Sequence, residues 1–298
     1  MDTSFIRGVI PPILTPVDSE DRVEERGLRR MVEHVIGGGV HGILSLGSNG
    51  EFFGLDAEEQ ERALAITLDE ARGRVPVYMG IGAISTRACV KLARLAEKRR
   101  AQAITVLPPM FLSPNDDELY LHFRTLADST PLPVLLYNNP ERMRAGISAS
   151  LITRLAEVPN IVGIKDSSGD LGLTAEFIRR TRERGFKVMA GRDLMILGTL
   201  VYGGAGCVAA TANVVPALVV EIYEKFMAGD LAGAREAQFR LAPLRVAFNL
   251  GSFPVVIKDA ANLLGFEVGS PIMPNTSCTQ ANMLKLKQIL KEMGALQG

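Results

Sequence analysis

Short apolar runs alternate along the chain with charged segments that have helical spacing. In one such segment Leu64, Leu68 and Ala71 recur at intervals of four and three residues among acidic side chains, which is typical of an amphipathic helix. The apolar runs are rich in β-branched residues and too short for helices, so we read them as strands. Eight of them recur, at residues 8–14, 41–46, 75–80, 103–108, 132–137, 160–165, 186–191 and 204–210.

Continuously apolar strands that alternate with amphipathic helices are typical of parallel βαβ units, in which helices cover both faces of the sheet. Eight such units predict an α/β fold, the (β/α)8 TIM barrel. A doubly wound sheet is the alternative, but no strand-to-helix turn carries a convincing GxGxxG motif, since GIGAIS at residues 80–85 is too short. We therefore expect the barrel.

The strand pattern stops after residue 228. Three helical segments follow, DLAGAREAQFRLAPLRVAF, SFPVVIKDAANLLG and TQANMLKLKQILKEMG. We predict a catalytic barrel over residues 1–228 and a helical C-terminal appendage over residues 229–298. Because no long linker or low-complexity tract separates the two, we expect them to pack as one body.

One uncharged stretch, residues 194–220, is long enough to cross a membrane. Several glycines, Asn213 and Pro216 interrupt it. Two buried elements joined by a turn fit this pattern better than a membrane span does.

The charges of the 298-residue chain balance, with 33 Lys and Arg against 33 Asp and Glu, so no basic field indicates nucleic acid or an anionic membrane as a partner. The three cysteines form no CxxC pair and look like reduced thiols. We see no secretory signal at the start of the sequence. These features predict a cytoplasmic protein.

The sixth apolar run ends on a lysine, in the stretch IVGIKDSSGD at residues 161–170. In isolation this is typical of a strand whose lysine is solvated at the rim, because lysine is rarely buried. In a barrel, however, functional side chains lie where strands end, and neighbouring strands are about 4.8 Å apart. We therefore expect Lys165 to meet Tyr137 at the end of the fifth run and to point the same way as Gly163 and Ile161. An apolar barrel mouth favours the neutral amine, which attacks ketones.

The second run is followed by GSNGE at residues 47–51. Its two glycines allow a tight turn whose backbone N–H groups converge, which suits a carboxylate, and Ser48 adds a hydroxyl. An ordinary turn capped by polar residues explains the stretch equally well. Tyr137, taken alone, is likewise explained as a strand-end aromatic whose hydroxyl reaches water.

Four motifs together resemble the dihydrodipicolinate synthase/N-acetylneuraminate lyase family of class I, Schiff-base lyases and aldolases. GSNGE resembles the family's G-[ST]-[STN]-G-E loop, and YNNP at 137–140 resembles its Y-N-x-P motif. GIKDSSGD at 163–170 resembles the Schiff-base lysine segment, and TANVVP at 211–216 resembles the T-A-N-x-x-P run. The resemblance covers nearly the whole chain, including the appendage.

The resemblance implies that Lys165 condenses with the C2 carbonyl of pyruvate or another 2-oxo acid. Tyr137, hydrogen-bonded to Ser48, would move protons during Schiff-base formation and during the making or breaking of the carbon–carbon bond. The resulting iminium draws electrons from C3, so that an enamine forms and attacks an aldehyde.

The resemblance also implies which residues bind the substrate. The carboxylate of the 2-oxo acid would be bound by Gly47, Ser48 and Asn49, and the carbonyl of Val208 would line the same pocket. The chemistry needs no cofactor and no metal, and the three histidines form no ligand-spaced cluster.

Two departures bear on the substrate. Family members usually place a tyrosine just after the fourth strand, contributed across a subunit interface; here the likeliest matching residue is Met110, with Phe111 next, and neither carries a proton. Arg142, five residues after Tyr137, resembles the arginine with which the synthases bind the carboxylate of their second substrate. Arg144 competes for that role, and a solvated loop charge explains either arginine.

We therefore expect an enzyme that joins pyruvate to an aldehyde or cleaves such a product, first of all an aldolase of 2-oxo (sugar) acids. The alternatives are 4-hydroxy-tetrahydrodipicolinate synthase, which uses aspartate semialdehyde, and a 2-oxo acid dehydratase or deaminase with the same Schiff base. From another class, the lost tyrosine makes a catalytically weak binding protein the remaining alternative. Family resemblance also implies a homotetramer built as a dimer of dimers.

Overall fold

The computed structural model describes residues 1–296, and its centre is a single sheet of eight parallel strands. Each strand overlaps one of the eight predicted apolar runs. The strands are β1 (Gly8–Val9), β2 (Ile43–Ser45), β3 (Val77–Ile81), β4 (Ala103–Val106), β5 (Val134–Asn138), β6 (Ile161–Asp166), β7 (Lys187–Ala190) and β8 (Gly206–Cys207).

The sheet closes on itself. Its order is β1-β8-β7-β6-β5-β4-β3-β2, and an isolated parallel bridge between Pro12 and Leu44 joins the two ends. Asn213, from the TANVVP run, strengthens this closure, because its side-chain amide donates to the Pro12 carbonyl at 3.0 Å while its side-chain oxygen accepts from the Leu14 N–H at 2.9 Å. The predicted (β/α)8 barrel is confirmed.

Within residues 1–296, eight helices surround the barrel, and three more form the C-terminal appendage as predicted. The first eight are α1 (Glu25–Gly37), α2 (Ala57–Ala71), α3 (Thr86–Lys98), α4 (Asp116–Ala127), α5 (Ala149–Leu155), α6 (Leu171–Thr181), α7 (Ile196–Val201) and α8 (Pro216–Met227). The last three are α9 (Leu231–Ala247), α10 (Val255–Leu263) and α11 (Gln280–Glu292). The domain boundary after residue 228 stays a prediction.

Successive side chains of each strand point to opposite faces of the sheet, and this divides the core into two layers. The larger layer lies between the sheet and the helices, and a small apolar cluster fills the inside of the barrel. In β2, for example, Leu44 belongs to the inner cluster, whereas Ile43 belongs to the outer layer and the Ser45 hydroxyl faces Thr67 of α2 at 3.3 Å. The inner cluster comprises Ile6, Ile10, Leu44, Tyr78, Ala103, Leu135, Met189 and Val208.

Strand β6 departs from simple alternation. The pairing register shifts between Val134 and Leu135, so that these neighbours face Ile161 and Gly163. Ile161 belongs to the outer layer as a result, and the prediction that it points the same way as Lys165 is wrong. Gly163 is required by a close contact between strands, because a Cβ there would lie 2.5 Å from the carbonyl oxygen of Lys187 on β7.

The uncharged stretch at residues 194–220 folds as α7, β8, a short 3-10 turn over Ala210–Asn213 and the start of α8. The stretch is therefore divided among separate elements, more than the two predicted, and Leu194 and Val201 within it are exposed. Within residues 1–296, no helix has both the length and the apolar character that crossing a membrane requires.

Candidate active site

Lys165 and Tyr137 lie side by side at the carboxyl ends of β6 and β5. They are direct partners in the register of the two strands, and both side chains are buried. The Lys165 ammonium lies over the Tyr137 ring, 3.9 Å from its centroid. The expected meeting of these two residues is thus present, and Lys165 is only 2% exposed rather than solvated at the rim.

The hydroxyl of Tyr137 is the centre of a small polar cluster. The Ser48 hydroxyl lies 3.3 Å from it, and the side-chain amide of Asn139 donates to it at 3.1 Å. Burial by itself would raise the pKa of the phenol, but the charge of Lys165 and the hydrogen bonds outweigh burial and lower the pKa to about 8. Tyr137 can therefore exchange its proton near neutral pH.

The GSNGE turn brings Ser48 to this cluster. Residues Ser48–Gly50 form one 3-10 turn, in which the N–H groups of Gly50 and Glu51 donate to the carbonyls of Gly47 and Ser48. Gly50 is required because a Cβ there would lie 2.8 Å from the Ile13 carbonyl oxygen. These two N–H groups serve the turn itself and are not available to a ligand, so binding of a carboxylate by the N–H groups of Ser48 and Asn49 stays a prediction.

A cavity of about 360 Å³ opens beside these residues. Asn49, Tyr137, Lys165 and Val208 line it, whereas the predicted residues Gly47 and Ser48 do not, although the Ser48 hydroxyl contacts that of Tyr137. The side-chain oxygen of Asn49 is buried without a hydrogen-bond partner among residues 1–296. An unsatisfied buried acceptor of this kind suits a ligand donor.

Asp166, at the start of the DSSGD part of the lysine segment, has a structural role. The Asp166 carboxylate accepts from the Asn138 amide at 2.9 Å, from the Ser168 hydroxyl at 2.9 Å and from the Thr174 hydroxyl at 2.5 Å. Asn138 in turn accepts from the Ile147 N–H at 2.9 Å. These contacts fix the loops after β5 and β6, and thereby the strand ends that carry Tyr137 and Lys165.

Three arginines line the outer part of the cavity. Arg192 forms an ion pair with Glu141 and donates to the Ser167 carbonyl at 3.0 Å. The guanidinium of Arg142 lies over the ring of Phe253, 3.8 Å from its centroid, and Arg245 reaches the cavity from α9. This end of the cavity suits an anionic group.

Of the two arginines that competed for one role, both are exposed, but only Arg142 lines the cavity. Met110 and Phe111 differ in their exposure to solvent. Met110 packs against the core, whereas Phe111 is 81% exposed, with a left-handed backbone (φ 71°) that is rare for an aromatic residue.

Several residues that line the cavity do not stand out in the sequence, among them Asn139 and Arg245. Asn139 occupies the variable position of Y-N-x-P. Its place beside Tyr137 was predictable, because it lies two residues further along and residues i and i+2 of a strand face the same side. Arg245 lies 80 residues after Lys165 in the chain. Nothing local in the sequence indicates that α9 brings it to the barrel mouth.

The histidines lie elsewhere, in roles of packing and local hydrogen bonding. His41 accepts from the Val9 N–H at 3.1 Å, and His122 lies 2.9 Å from the Thr86 hydroxyl, where burial lowers its pKa to about 4. Burial also lowers the pKa of His34. Among the described residues, no three His, Cys, Asp or Glu side chains are grouped to hold a metal ion.

Comparison with known proteins gives full-length matches. Residues 5–293 match the dihydrodipicolinate synthetase family. A 4-hydroxy-tetrahydrodipicolinate synthase from Methanoculleus marisnigri is 38% identical over 292 residues, which are 97% of this chain and 100% of that protein.

Solved structures are equally similar in fold. The dihydrodipicolinate synthase of Thermotoga maritima superposes with a TM-score of 0.95 at 30% identity, over 97% of this chain and 99% of that one. A prophage protein of the dihydrodipicolinic acid synthase family from E. coli K12, in complex with pyruvate, gives a TM-score of 0.94 at 29% identity, over 97% and 99% of the two chains.

Proposed function

This chain belongs to the dihydrodipicolinate synthetase family, and from that membership we propose that it is a Schiff-base lyase that joins pyruvate to aspartate semialdehyde, as a 4-hydroxy-tetrahydrodipicolinate synthase does. The relatives favour this reaction over the aldolase of 2-oxo sugar acids that the sequence analysis put first. The observation that carries the proposal is the buried Lys165 beside the low-pKa hydroxyl of Tyr137.

The first steps build the Schiff base. Tyr137 accepts a proton from Lys165, and the free amine attacks C2 of pyruvate. Tyr137 then returns the proton to the carbinolamine oxygen, and water leaves as the iminium forms. The N–H groups of Ser48 and Asn49 hold the carboxylate, with Ser48 also fixing the Tyr137 hydroxyl.

The next steps make the carbon–carbon bond. The Tyr137 phenolate accepts a proton from C3, which converts the iminium to an enamine, and C3 of the enamine then attacks the aldehyde carbon. The aldehyde oxygen gains a proton from Tyr137 as the iminium is regenerated. The amino group of aspartate semialdehyde then displaces Lys165 from C2, which closes the ring and frees the enzyme.

The charges of the cavity support an acidic aldehyde. Four cationic side chains, Lys165, Arg142, Arg192 and Arg245, face two carboxylates, Glu141 and Asp193. A site with this excess of positive charge suits two substrate carboxylates, one on each partner. We propose Arg142 and Arg245 as the groups that meet the carboxylate of the aldehyde.

A second candidate is cleavage of a 4-hydroxy-2-oxo acid that bears a distal carboxylate. The observation that favours it is the loss of the family's tyrosine after β4, since neither Met110, the likeliest matching residue, nor Phe111 next to it carries a hydroxyl. The same Lys165, Tyr137 and arginines would serve this reaction in the reverse direction.

Steady-state assays separate the candidates. We expect turnover of pyruvate with aspartate semialdehyde to exceed cleavage of each member of a panel of hydroxylated 2-oxo acids, and Lys165→Ala to abolish it. The opposite preference would replace the proposed reaction with the second candidate. Failure of the enzyme to exchange the C3 protons of pyruvate with deuterium would instead indicate a binding protein.

A further inference from the structure

Asn139 stands out because it is a buried amide that the proposed mechanism does not use. It is 5% exposed and lines the cavity two residues after Tyr137. Its amide nitrogen donates to the Tyr137 hydroxyl at 3.1 Å. Its side-chain oxygen is buried without a hydrogen-bond partner among the described residues.

The N–H donor and the oxygen acceptor of this amide each indicate a role in the reaction. A hydrogen bond donated to a phenolate is charge-assisted and therefore strong, so the N–H side favours the deprotonated form of Tyr137. A buried acceptor that has no partner is costly unless something else satisfies it. Because Asn139 lines the cavity, a donor group on the substrate can supply the missing partner.

We propose that Asn139 holds Tyr137 through its N–H group and binds, through its oxygen, the hydroxyl that forms from the aldehyde carbonyl. The inference rests on the proposed function for the second contact only. In the bond-forming step the enamine C3 attacks the aldehyde carbon, the carbon–oxygen π bond breaks, and the oxygen takes the proton of Tyr137. The new hydroxyl then donates to Asn139, while the N–H of Asn139 stabilises the phenolate left behind.

The contact between Asn139 and Tyr137 compensates for the absence of the family's tyrosine after β4. Phe111 and Met110 have no group that stabilises a phenolate or passes a proton. Asn139 comes from the same strand end as Tyr137, so it is available within one chain. Together with the Ser48 hydroxyl it gives Tyr137 two hydrogen-bond partners before substrate arrives.

The test begins with the enzyme alone. The absorbance of the Tyr137 phenolate, taken as the difference from Tyr137→Phe, is titrated in the wild type and in Asn139→Leu, which keeps the volume and removes both polar atoms. We expect the midpoint to move from about pH 8 to about pH 9 or higher, because a charge-assisted hydrogen bond is lost. Asn249→Leu makes the same chemical change elsewhere on the cavity wall and should leave the midpoint in place.

A second variant isolates the donor. Asn139→Asp keeps the shape and an acceptor but replaces the N–H group with negative charge, so its midpoint should be higher still. A midpoint that stays or falls in Asn139→Leu, in protein whose circular dichroism matches the wild type, would overturn the inference about the donor.

Kinetics test the acceptor. In Asn139→Leu, borohydride trapping of pyruvate should persist while kcat/KM for the aldehyde falls at least about tenfold. An unchanged kcat/KM would overturn the proposed substrate contact. If the wild type fails to trap pyruvate, the proposed function fails and the substrate contact with it, whereas the substrate-free titration still decides the contact with Tyr137.

Discussion

Two buried lysines show how surroundings set the chemistry of one side chain. Lys258 pairs with Glu51 at 2.6 Å, and both side chains are 1% exposed. Lys165 instead faces the ring of Tyr137 and a cavity that a substrate can enter. The first lysine is held in a structural ion pair, and the second is available to react.

The pKa of Tyr137 depends on Lys165, which gives a prediction at the residue scale. Replacing Lys165 by methionine removes the positive charge that opposes the effect of burial. The phenolate of Tyr137 should then form at higher pH than the value of about 8 in the wild type. Spectroscopic titration of Lys165→Met measures this, and a midpoint that moves to lower pH would contradict the assignment.

The arginines at the cavity mouth give a second prediction. Arg142→Gln should raise KM for the acidic aldehyde by about tenfold to a hundredfold, since a charge-assisted hydrogen bond to its carboxylate is lost. KM for pyruvate should change little. The matched control is Arg144→Gln, because Arg144 is exposed outside the cavity. Equal effects of the two replacements would show that the charge acts only at long range.

Sequence reasoning finds such residues when they mark the end of a strand. Lys165 and Tyr137 interrupt apolar runs, and the barrel brings neighbouring strand ends together, so their meeting was predictable. Arg245 was not predictable, because its place depends on how α9 packs. Asn139 carried a usable signal, since it shares the side of Tyr137 two residues along the chain.

At the scale of elements, the Glu51–Lys258 pair ties the GSNGE turn to α10. The second oxygen of Glu51 accepts from the Ile272 N–H at 2.8 Å, and Glu51 has a left-handed backbone (φ 53°). Burial lowers the pKa of Lys258, and the charge of Glu51 opposes that effect. The appendage therefore helps to fix the turn that presents Ser48 and Asn49.

Breaking this pair should be costly. Lys258→Met leaves the Glu51 carboxylate buried without its cation, and we expect unfolding in urea to show a loss of about 3–5 kcal/mol. The double variant Glu51→Gln/Lys258→Met should lose less, because no charge is then left unpaired. Lys285→Met, at an exposed position of α11, serves as the control and should stay within about 0.5 kcal/mol. An unchanged free energy of unfolding in Lys258→Met would contradict the structural role of the Glu51–Lys258 ion pair.

The hydrophobic periodicity predicted the positions of the strands better than it predicted how neighbouring strands pair. All eight strands overlap the apolar runs, because parallel strands buried on both faces read as continuous apolar sequence. The register shift at Val134 and Leu135 left no comparable mark, since it arises from how β5 and β6 fit together. It is the reason that Ile161 faces the helices instead of the barrel interior.

At the scale of the whole molecule, the appendage is part of the site. Its three helices and their packing against the barrel were predictable from the sequence. The placement of Arg245 and Phe253 in the cavity lining was not. Contacts between segments far apart in sequence depend on tertiary packing, which local patterns do not encode.

The expected homotetramer gives a prediction at the same scale. Phe111 is highly exposed and adopts a left-handed backbone that costs about 1–3 kcal/mol for such a residue, so a contact with a second copy would justify it. Phe111→Gly should weaken subunit association without lowering the stability of the isolated chain. Analytical ultracentrifugation over a range of concentrations measures this, and unchanged association would remove Phe111 from the interface.

The central claim is that Lys165 forms a Schiff base with pyruvate. The most direct measurement is intact-mass analysis after borohydride treatment with and without pyruvate, followed by peptide mapping. We predict one pyruvate-derived adduct, located on Lys165, present only with pyruvate and lost in Lys165→Ala. Folded protein that yields no adduct, or an adduct on another lysine, would contradict the account.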